Sequence, residues 1–458
     1  MKSASLEQKL QQVGNAAHML RNSQIGPYVY PIPPEFSNWR DEQESWRETA
    51  VLFDQSYHMT DLYVEGPDVV RLLSDLGVNS FKGFGRNKAK QFLPCNYDGY
   101  VIGDAVLFAL EDNKVNIVGR PPTANWVEFH AKTAGYNVNI ERDARSLVNP
   151  KPRKTYRYQL QGPNAVRILE KLHGGPLPEI KFFNMGEINI AGRKVRALKH
   201  GMSGAPGLEF WGPAEEGPQI KAAVLDAGCE YGLKQAGGRA YATVTTESGW
   251  LPSPVPAVYT GDMMKAYREW LPADSFEATA SLGGSFYSNN IEDYYLTPWD
   301  LGYGSLVKFD HDFIGRRALE EMVSRPHRKK VILSWNSDDV IKVFATLFQR
   351  ERAKYMEIPA SHYTTHPYDA VMFGQELVGL STYPCYTSNG RRWISLAMID
   401  ESRATSGSEV TVIWGEKDGG SAKPVVERHV QMEIRATAGP WPFADPARAG
   451  YRPKVLQP

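Results

Sequence analysis

Tyr63-Val64-Glu65-Gly66-Pro67-Asp68-Val69-Val70-Arg71-Leu72-Leu73 and Gln159-Leu160-Gln161-Gly162-Pro163-Asn164-Ala165-Val166-Arg167-Ile168-Leu169 are two copies of one pattern, the second starting 96 residues after the first. In each, an alternating strand runs into Gly-Pro and then into an apolar stripe at helical spacing, with proline suited to the first helical turn. Further alternating segments follow each copy: residues 101–110 and 115–118 after the first, 195–198 and 208–211 after the second. The pattern predicts two α+β subdomains of similar build. Residues 142–155 carry Pro150, Pro152 and the basic residues Arg142, Arg145, Lys151, Arg153 and Lys154, and read as an exposed connector. Residues 1–150 and 151–328 are therefore expected as the first two domains. Beyond them, residues 330–335, 409–414 and 429–435 alternate as strands, with Asp418-Gly419-Gly420 as a turn signal between the last two. A third, mostly β, domain is expected over 329–458.

At 458 residues the chain exceeds one ordinary core, consistent with several domains. Lys plus Arg and Asp plus Glu number 52 each, so no net field recommends nucleic acid or an anionic membrane as partner. A small-molecule enzyme, with no obligate protein partner, is the expectation. Cys95, Cys229 and Cys385 are odd in number and far apart, which argues against a disulfide framework or a CxxC cluster and for a reducing compartment, the cytoplasm. Leu6, Leu10, Val13, Ala17 and Leu20 recur at helical spacing behind a Ser5/Gln8 capping box. The start of the chain thus reads as an amphipathic helix, not a signal peptide. No apolar run approaches the roughly 18 residues a spanning helix needs.

No HExxH, P-loop, GxSxG or paired CxxC occurs. His362 and His366 are four apart, but the β-formers between them and Pro367 after them argue against a metal-bearing helix, and no metal is expected. The proline- and aromatic-rich residues 26–34 cannot be a helix interior. They form either a strap over a domain seam or a pocket wall in which Tyr28 and Tyr30 offer a flat ring a stacking surface and a hydroxyl. Residues 53–61, with Gln55, Tyr57 and His58, read as a strand dense in polar groups, and His58 sits among side chains able to tune its protonation. Asp104 and Glu209 lie within apolar runs, each either an outward-facing strand residue or a buried acid that needs donors. Residues 237–252, with Arg239, Tyr241 and Trp250, read as a decorated loop.

Taken together these segments resemble the aminomethyltransferase family founded on the glycine cleavage T-protein. The clearest mark is Val307-Lys308-Phe309-Asp310-His311-Asp312-Phe313-Ile314-Gly315-Arg316-Arg317-Ala318-Leu319, similar to that family's K-x-DFIG-K/R-x-AL segment. Gly99-Tyr100-Val101-Ile102-Gly103-Asp104 is similar to its GGVIDD turn and Gly204-Ala205-Pro206-Gly207-Leu208-Glu209 to its TGEDGFE strand. Leu377-Val378-Gly379 to Ser395-Leu396-Ala397 looks like its last signature, so the likeness covers most of the chain. Within the family, Met19 to Gly26, Phe53-Asp54-Gln55, Val118-Gly119-Arg120 and Glu247-Ser248-Gly249-Trp250 resemble the bacterial folate-dependent O-demethylases of lignin-derived methoxybenzoates. One departure from the T-protein pattern is Gly103, which stands where that pattern has the first of two aspartates.

The resemblance implies an α+β fold of three domains in a cloverleaf around a folate cavity, the third a β-barrel or jelly roll. It implies transfer of an aryl methyl group to tetrahydrofolate, with syringate favoured over vanillate or 3-O-methylgallate. Tyr241 and His58 are the implied catalytic residues; Tyr28, Tyr30, Gln55, Tyr57 and Arg120 the substrate residues; Asp104, Glu209, Arg239 and Trp250 the folate residues. An aminomethyltransferase or amine demethylase, and a folate-binding protein without turnover, are the alternatives.

Overall fold

A computed structural model describes residues 4–252 and 254–444. Both copies of the repeat fold alike. The strand Thr60–Glu65 passes through Gly66 to the helix Val69–Leu76, and Thr155–Gln161 passes through Gly162 to Ala165–His173. Each glycine turns at positive φ (151° and 130°), and a Cβ there would stand 2.4 Å from Asn137 O or 2.6 Å from Thr49 O. Only a residue without a side chain can bring the strand end so close to its neighbour. Proline stands just outside each helix, not in its first turn, because Asp68 and Asn164 are the N-cap residues.

Two antiparallel-rich sheets result. One has the order Ala89–Phe92, Ala105–Glu111, Lys114–Gly119, Thr60–Glu65, Asn139–Asp143. The other runs Leu233–Gln235, Ala50–Asp54, Thr155–Gln161, Gly207–Pro213, Arg193–Leu198, Met185–Ile190. Residues 53–61 are therefore not one strand. The chain leaves the second sheet at Asp54, turns with Ser56 N–H donating to Asp54 Oδ1 (3.1 Å), and enters the first sheet at Thr60. Polar density there marks a crossing between sheets, where backbone groups need side-chain partners. The sheets abut through a small apolar seam that includes Ala89, Phe108, Val118, Met185, Leu198 and Trp211, all buried.

The cores interleave along the chain. Leu62, Leu72, Leu107, Ile117 and Trp126 share a core with Val255, Leu282, Tyr294 and Leu319, so residues after 250 return to cover the first sheet. The last strands, Arg328–Trp335, Arg392–Asp400, Glu376–Thr387, Asp369–Phe373, Glu409–Trp414 and Met432–Gly439, close in that order into a barrel, which leaves no free sheet edge. Glu409–Trp414 and Met432–Gly439 do pair antiparallel, with Asp418 and Gly419 at positive φ in the long connection.

At the other end of the chain the capping box forms, but Gly14 (φ 75°) ends the helix Leu6–Val13, and Asn15 caps a second helix, Ala16–Asn22. The single helix expected there is two. Cys95, Cys229 and Cys385 are free thiols. Among the described residues no helix is long and apolar enough to cross a membrane.

Candidate active site

A cavity of about 550 Å³ opens at the seam of the two sheets, within the range of small-molecule sites. Its wall takes in Tyr30, Gln55, His58, Asp104, Arg120, Glu209, Tyr241 and Trp250, together with Lys330 of the barrel and Trp441 beyond it.

Tyr241 lies on the first turn of the helix Gly238–Ser248, which replaces the loop expected over these residues. Tertiary contacts supply what local sequence lacks. The proline-rich strap caps the helix start, with Pro33 O and Pro34 O accepting from Gly238 N–H (2.9 Å) and Arg239 N–H (3.1 Å). Carbonyl oxygens here satisfy donors that a helix start leaves open. The same strap brings Tyr30 to the cavity, its ring 4.6 Å from that of Tyr241 and 5.1 Å from that of His58.

The Tyr241 hydroxyl meets three groups: His58 Nε2 at 3.1 Å, Gln55 Nε2 at 3.4 Å and the Met202 sulfur at 3.4 Å. Burial, followed by the neighbouring Tyr30 phenol, holds the Tyr241 phenol well above its ordinary range. Burial and the nearby cations Arg120, Arg153 and Arg157 push the His58 imidazole down to about 3. At neutral pH the pair is a phenol beside a neutral imidazole, two uncharged groups with one movable hydrogen.

Arg120 ends the strand side of the helix Pro121–Thr133 as its N-cap residue. Its guanidinium covers the Tyr28 ring at 4.0 Å, with Tyr30 and Tyr383 phenols beside it, and its Nη1 is buried without a partner. A buried cation with an unused donor, on a cavity wall, is a place for an anion.

Asp104 is a buried acid, not an outward-facing strand residue. Its Oδ2 accepts from Trp250 Nε1 (2.8 Å), Gln91 Nε2 (2.9 Å) and the Tyr303 hydroxyl (3.0 Å), while Oδ1 is buried without a partner. Burial raises its pKa to about 6, against the opposing pull of the Trp250 and Tyr303 hydrogen bonds. The adjacent Gly103 has a steric cause: a Cβ there would stand 2.7 Å from Thr123 Oγ1, so a second aspartate does not fit. Glu209, on the strand Gly207–Pro213, accepts from Arg157 Nη1 at 2.6 Å. Arg157 is itself held by Asp61 at 3.2 Å, and Asp61 pairs again with Arg153.

Three residues expected at the site stand off its wall. Tyr28 backs the cavity, its hydroxyl donating to His58 O and its ring under Arg120 and, at 4.8 Å, Arg145. Tyr57 is 39% exposed on the crossing turn, because its carbonyl is what the structure uses, accepting from Ser146 N and Oγ. Arg239 points outward to Glu35 (2.9 Å) and Ile358 O (2.6 Å), tying the strap to the barrel region. Conversely, Met202, Lys330 and Trp441 have no local sequence signal. Lys330 Nζ donates to Gly249 O (2.7 Å) and faces the Trp441 ring at 3.6 Å. Gly249 and Gly302, both at positive φ, leave the space that ring fills, since a Cβ on either would come within 2.9 Å or 2.5 Å of it.

Repeated α+β units with a barrel, enclosing a cavity that holds a phenol, a neutral imidazole, a free guanidinium donor and two carboxyl groups, define a group-transfer enzyme of the T-protein type. Residues 11–253 match the family model described as the GCVT N-terminal domain, and the chain belongs to that family. It is 49% identical over 450 residues to syringate O-demethylase from Sphingobium sp. (strain NBRC 103272 / SYK-6), covering 98% of this chain and 97% of that protein. It is 29% identical over 432 residues to sesamin methylene transferase from Sinomonas sp. (strain No.22), covering 90% of each. In fold it is similar to the crystal structure of glycine cleavage system aminomethyltransferase T from Bartonella henselae, with a TM-score of 0.61 at 16% identity over 95% of this chain and 97% of that one.

Proposed function

We propose that this protein is a tetrahydrofolate-dependent O-demethylase that moves the methyl group of a methoxybenzoate, syringate foremost, to the folate. The observation that carries the reading is the uncharged Tyr241–His58 pair and the unpaired Nη1 of Arg120 on the wall of a cavity that also takes in Asp104 and Glu209. The likeness to syringate O-demethylase favours an aryl methyl ether over an amine.

An aryl methyl ether resists cleavage because a phenolate is a poor leaving group. Bound tetrahydrofolate supplies a nucleophilic ring nitrogen. The methyl–oxygen bond breaks, a methyl–nitrogen bond forms, the nitrogen's proton departs, and the leaving oxygen takes up a proton. The chain's own part is to hold the ring, deliver that proton and keep water out. Arg120 takes the carboxylate, where a charge-assisted bond satisfies its buried donor. Tyr30 gives the aromatic ring a face to lie on, and Tyr241 hydrogen-bonds to the ether oxygen. Burial keeps Tyr241 a protonated phenol that can donate to the leaving oxygen, and His58, with Nε2 at 3.1 Å, can replace that hydrogen by taking up a proton at one ring nitrogen as it gives one from the other. Toward the folate, the residues present fit an amide-rich heterocycle. Glu209 is a carboxylate acceptor held by Arg157, and the orphaned Oδ1 of Asp104 needs a polar partner.

The test is anaerobic incubation with tetrahydrofolate and, separately, syringate, vanillate and 3-O-methylgallate. The expected outcome is equimolar 5-methyltetrahydrofolate and freed phenol, with syringate fastest. Folate binding with no turnover of any ether sinks the reading in favour of an amine substrate or a binding protein.

A further inference from the structure

Resting on the O-demethylase reading, we infer that Met202 is the residue that sizes the alkyl group to be transferred. Its sulfur lies 3.4 Å from the Tyr241 hydroxyl and 3.1 Å from Gln55 Nε2, and its side chain forms part of the cavity wall. When an ether oxygen comes within hydrogen-bond reach of Tyr241, its alkyl carbon turns its back to the folate nitrogen and a flank to the groups that meet that hydroxyl. Three side-chain heteroatoms meet it. His58 Nε2 and Gln55 Nε2 are polar and suit a neighbouring hydroxyl on the ring, while Tyr30 presents the flat face the ring itself needs. Of the three heteroatom contacts, the thioether end of Met202 is the one that suits an apolar alkyl group.

The loop that carries Met202 is built to hold it there. It connects the strands Arg193–Leu198 and Gly207–Pro213, and its backbone is pinned on both sides of the methionine. Met202 N–H donates to Gln159 Oε1 (3.3 Å), and Ser203 donates to Gln161 Oε1 from N and from Oγ (2.9 Å each). Gln159 and Gln161 are fully buried neighbours on one strand of the sheet. The main chain is fixed, so the unbranched side chain alone adjusts. A methyl group packs against the sulfur. An ethyl group, one carbon longer, has to displace it.

The test compares 3-methoxy-4-hydroxybenzoate with its 3-ethoxy homologue, at saturating tetrahydrofolate without oxygen, in wild type, Met202→Ala, Met202→Val and Met202→Leu. The intrinsic slowness of ethyl transfer is common to all four proteins, so changes in the ratio of the two kcat/KM values report the wall. One methylene in an apolar pocket is worth about 10- to 200-fold, so Met202→Ala and Met202→Val should each narrow the methoxy-over-ethoxy preference by about tenfold or more. Met202→Leu, which keeps the volume, should hold the wild-type ratio to within about threefold. A ratio unmoved in both smaller variants, with both substrates slowed alike, overturns the inference and leaves Met202 a structural residue. If the wild type demethylates no methoxybenzoate at all, the O-demethylase reading fails first, and this inference with it.

Discussion

Two places on the cavity wall, the Tyr241–His58 pair and Asp104, are both buried and are built on opposite electrical plans. Around Tyr241 desolvation outweighs the pull of the Gln55 hydrogen bond, and around His58 three arginines reinforce it: the phenol keeps its proton, the imidazole sheds one, and neither carries charge at neutral pH. Around Asp104 desolvation is met by three donors on one oxygen, which bring the carboxyl to the edge of ionising, at about 6. The comparison teaches that burial with like-acting neighbours keeps a proton-delivering pair uncharged, whereas recognition of a polar partner requires a buried group to be partly satisfied and partly left open.

The sharpest way to break this contrast is Tyr241→Phe. Losing a positioned acid costs about 10²- to 10⁴-fold in kcat/KM for the ether. Folate affinity, read by calorimetry, should stay within about threefold, since Tyr241 is assigned to the ether oxygen and not to the folate. Loss of both together would mean that Tyr241 and the folate residues act as one unit.

Arg120→Lys keeps the charge but not the planar fork. It should raise KM for the methoxybenzoate about 10- to 100-fold, and should not affect the matching benzyl alcohol, which has no carboxylate. An equal loss on acid and alcohol would deny Arg120 its role toward the carboxylate. Glu209→Gln exchanges an acceptor pair for one acceptor and one donor beside Arg157, and should weaken tetrahydrofolate binding by about tenfold without changing the ratio of rates among the ethers.

The smallest effect is expected from pH. The folded-state pKa of Asp104 lies above its unfolded value, so between about 4 and 6 the folded form binds more protons than the unfolded. Stability from this group is full below pH 4, is lost as pH rises through 6, and stays lost above. Asn cannot ionise, so Asp104→Asn should melt about 2–4 °C above wild type at pH 8 and above it by a smaller margin at pH 4.5. A difference that does not vary with pH would show that Asp104 does not titrate as described.

Much of the architecture was legible because it repeats. Two strand–Gly-Pro–helix copies and an alternating C-terminal third follow from local periodicity, and the resemblance of the signature segments implied how they assemble. What escaped reading is what convergence creates. Residues 53–61, dense in polar groups, read as one strand, yet they cross from sheet to sheet, and that crossing brings Gln55 and His58 to the seam. The helix bearing Tyr241 begins with glycine and contains four β-branched residues from Thr243 to Thr246, so propensity speaks against it; the strap supplies the capping from 200 residues away. Tyr57 and Arg239 carry site-like chemistry in site-like segments, but the crossing turn exposes the first and an ion pair with Glu35 draws the second outward. Met202, Lys330 and Trp441 sit in segments whose distance in sequence hides their nearness in space.

The strand Ala50–Asp54 hydrogen-bonds on one side to Thr155–Gln161 and on the other to Leu233–Gln235. During synthesis it therefore emerges long before either neighbour exists. Translation at about 5–20 residues per second leaves this apolar strand without a partner for roughly 5–20 s before residue 161 follows it out of the ribosome. For that interval both of its edges are open to other chains, so yield in the cell should depend on chaperone supply even for a protein whose finished fold closes every strand of its barrel.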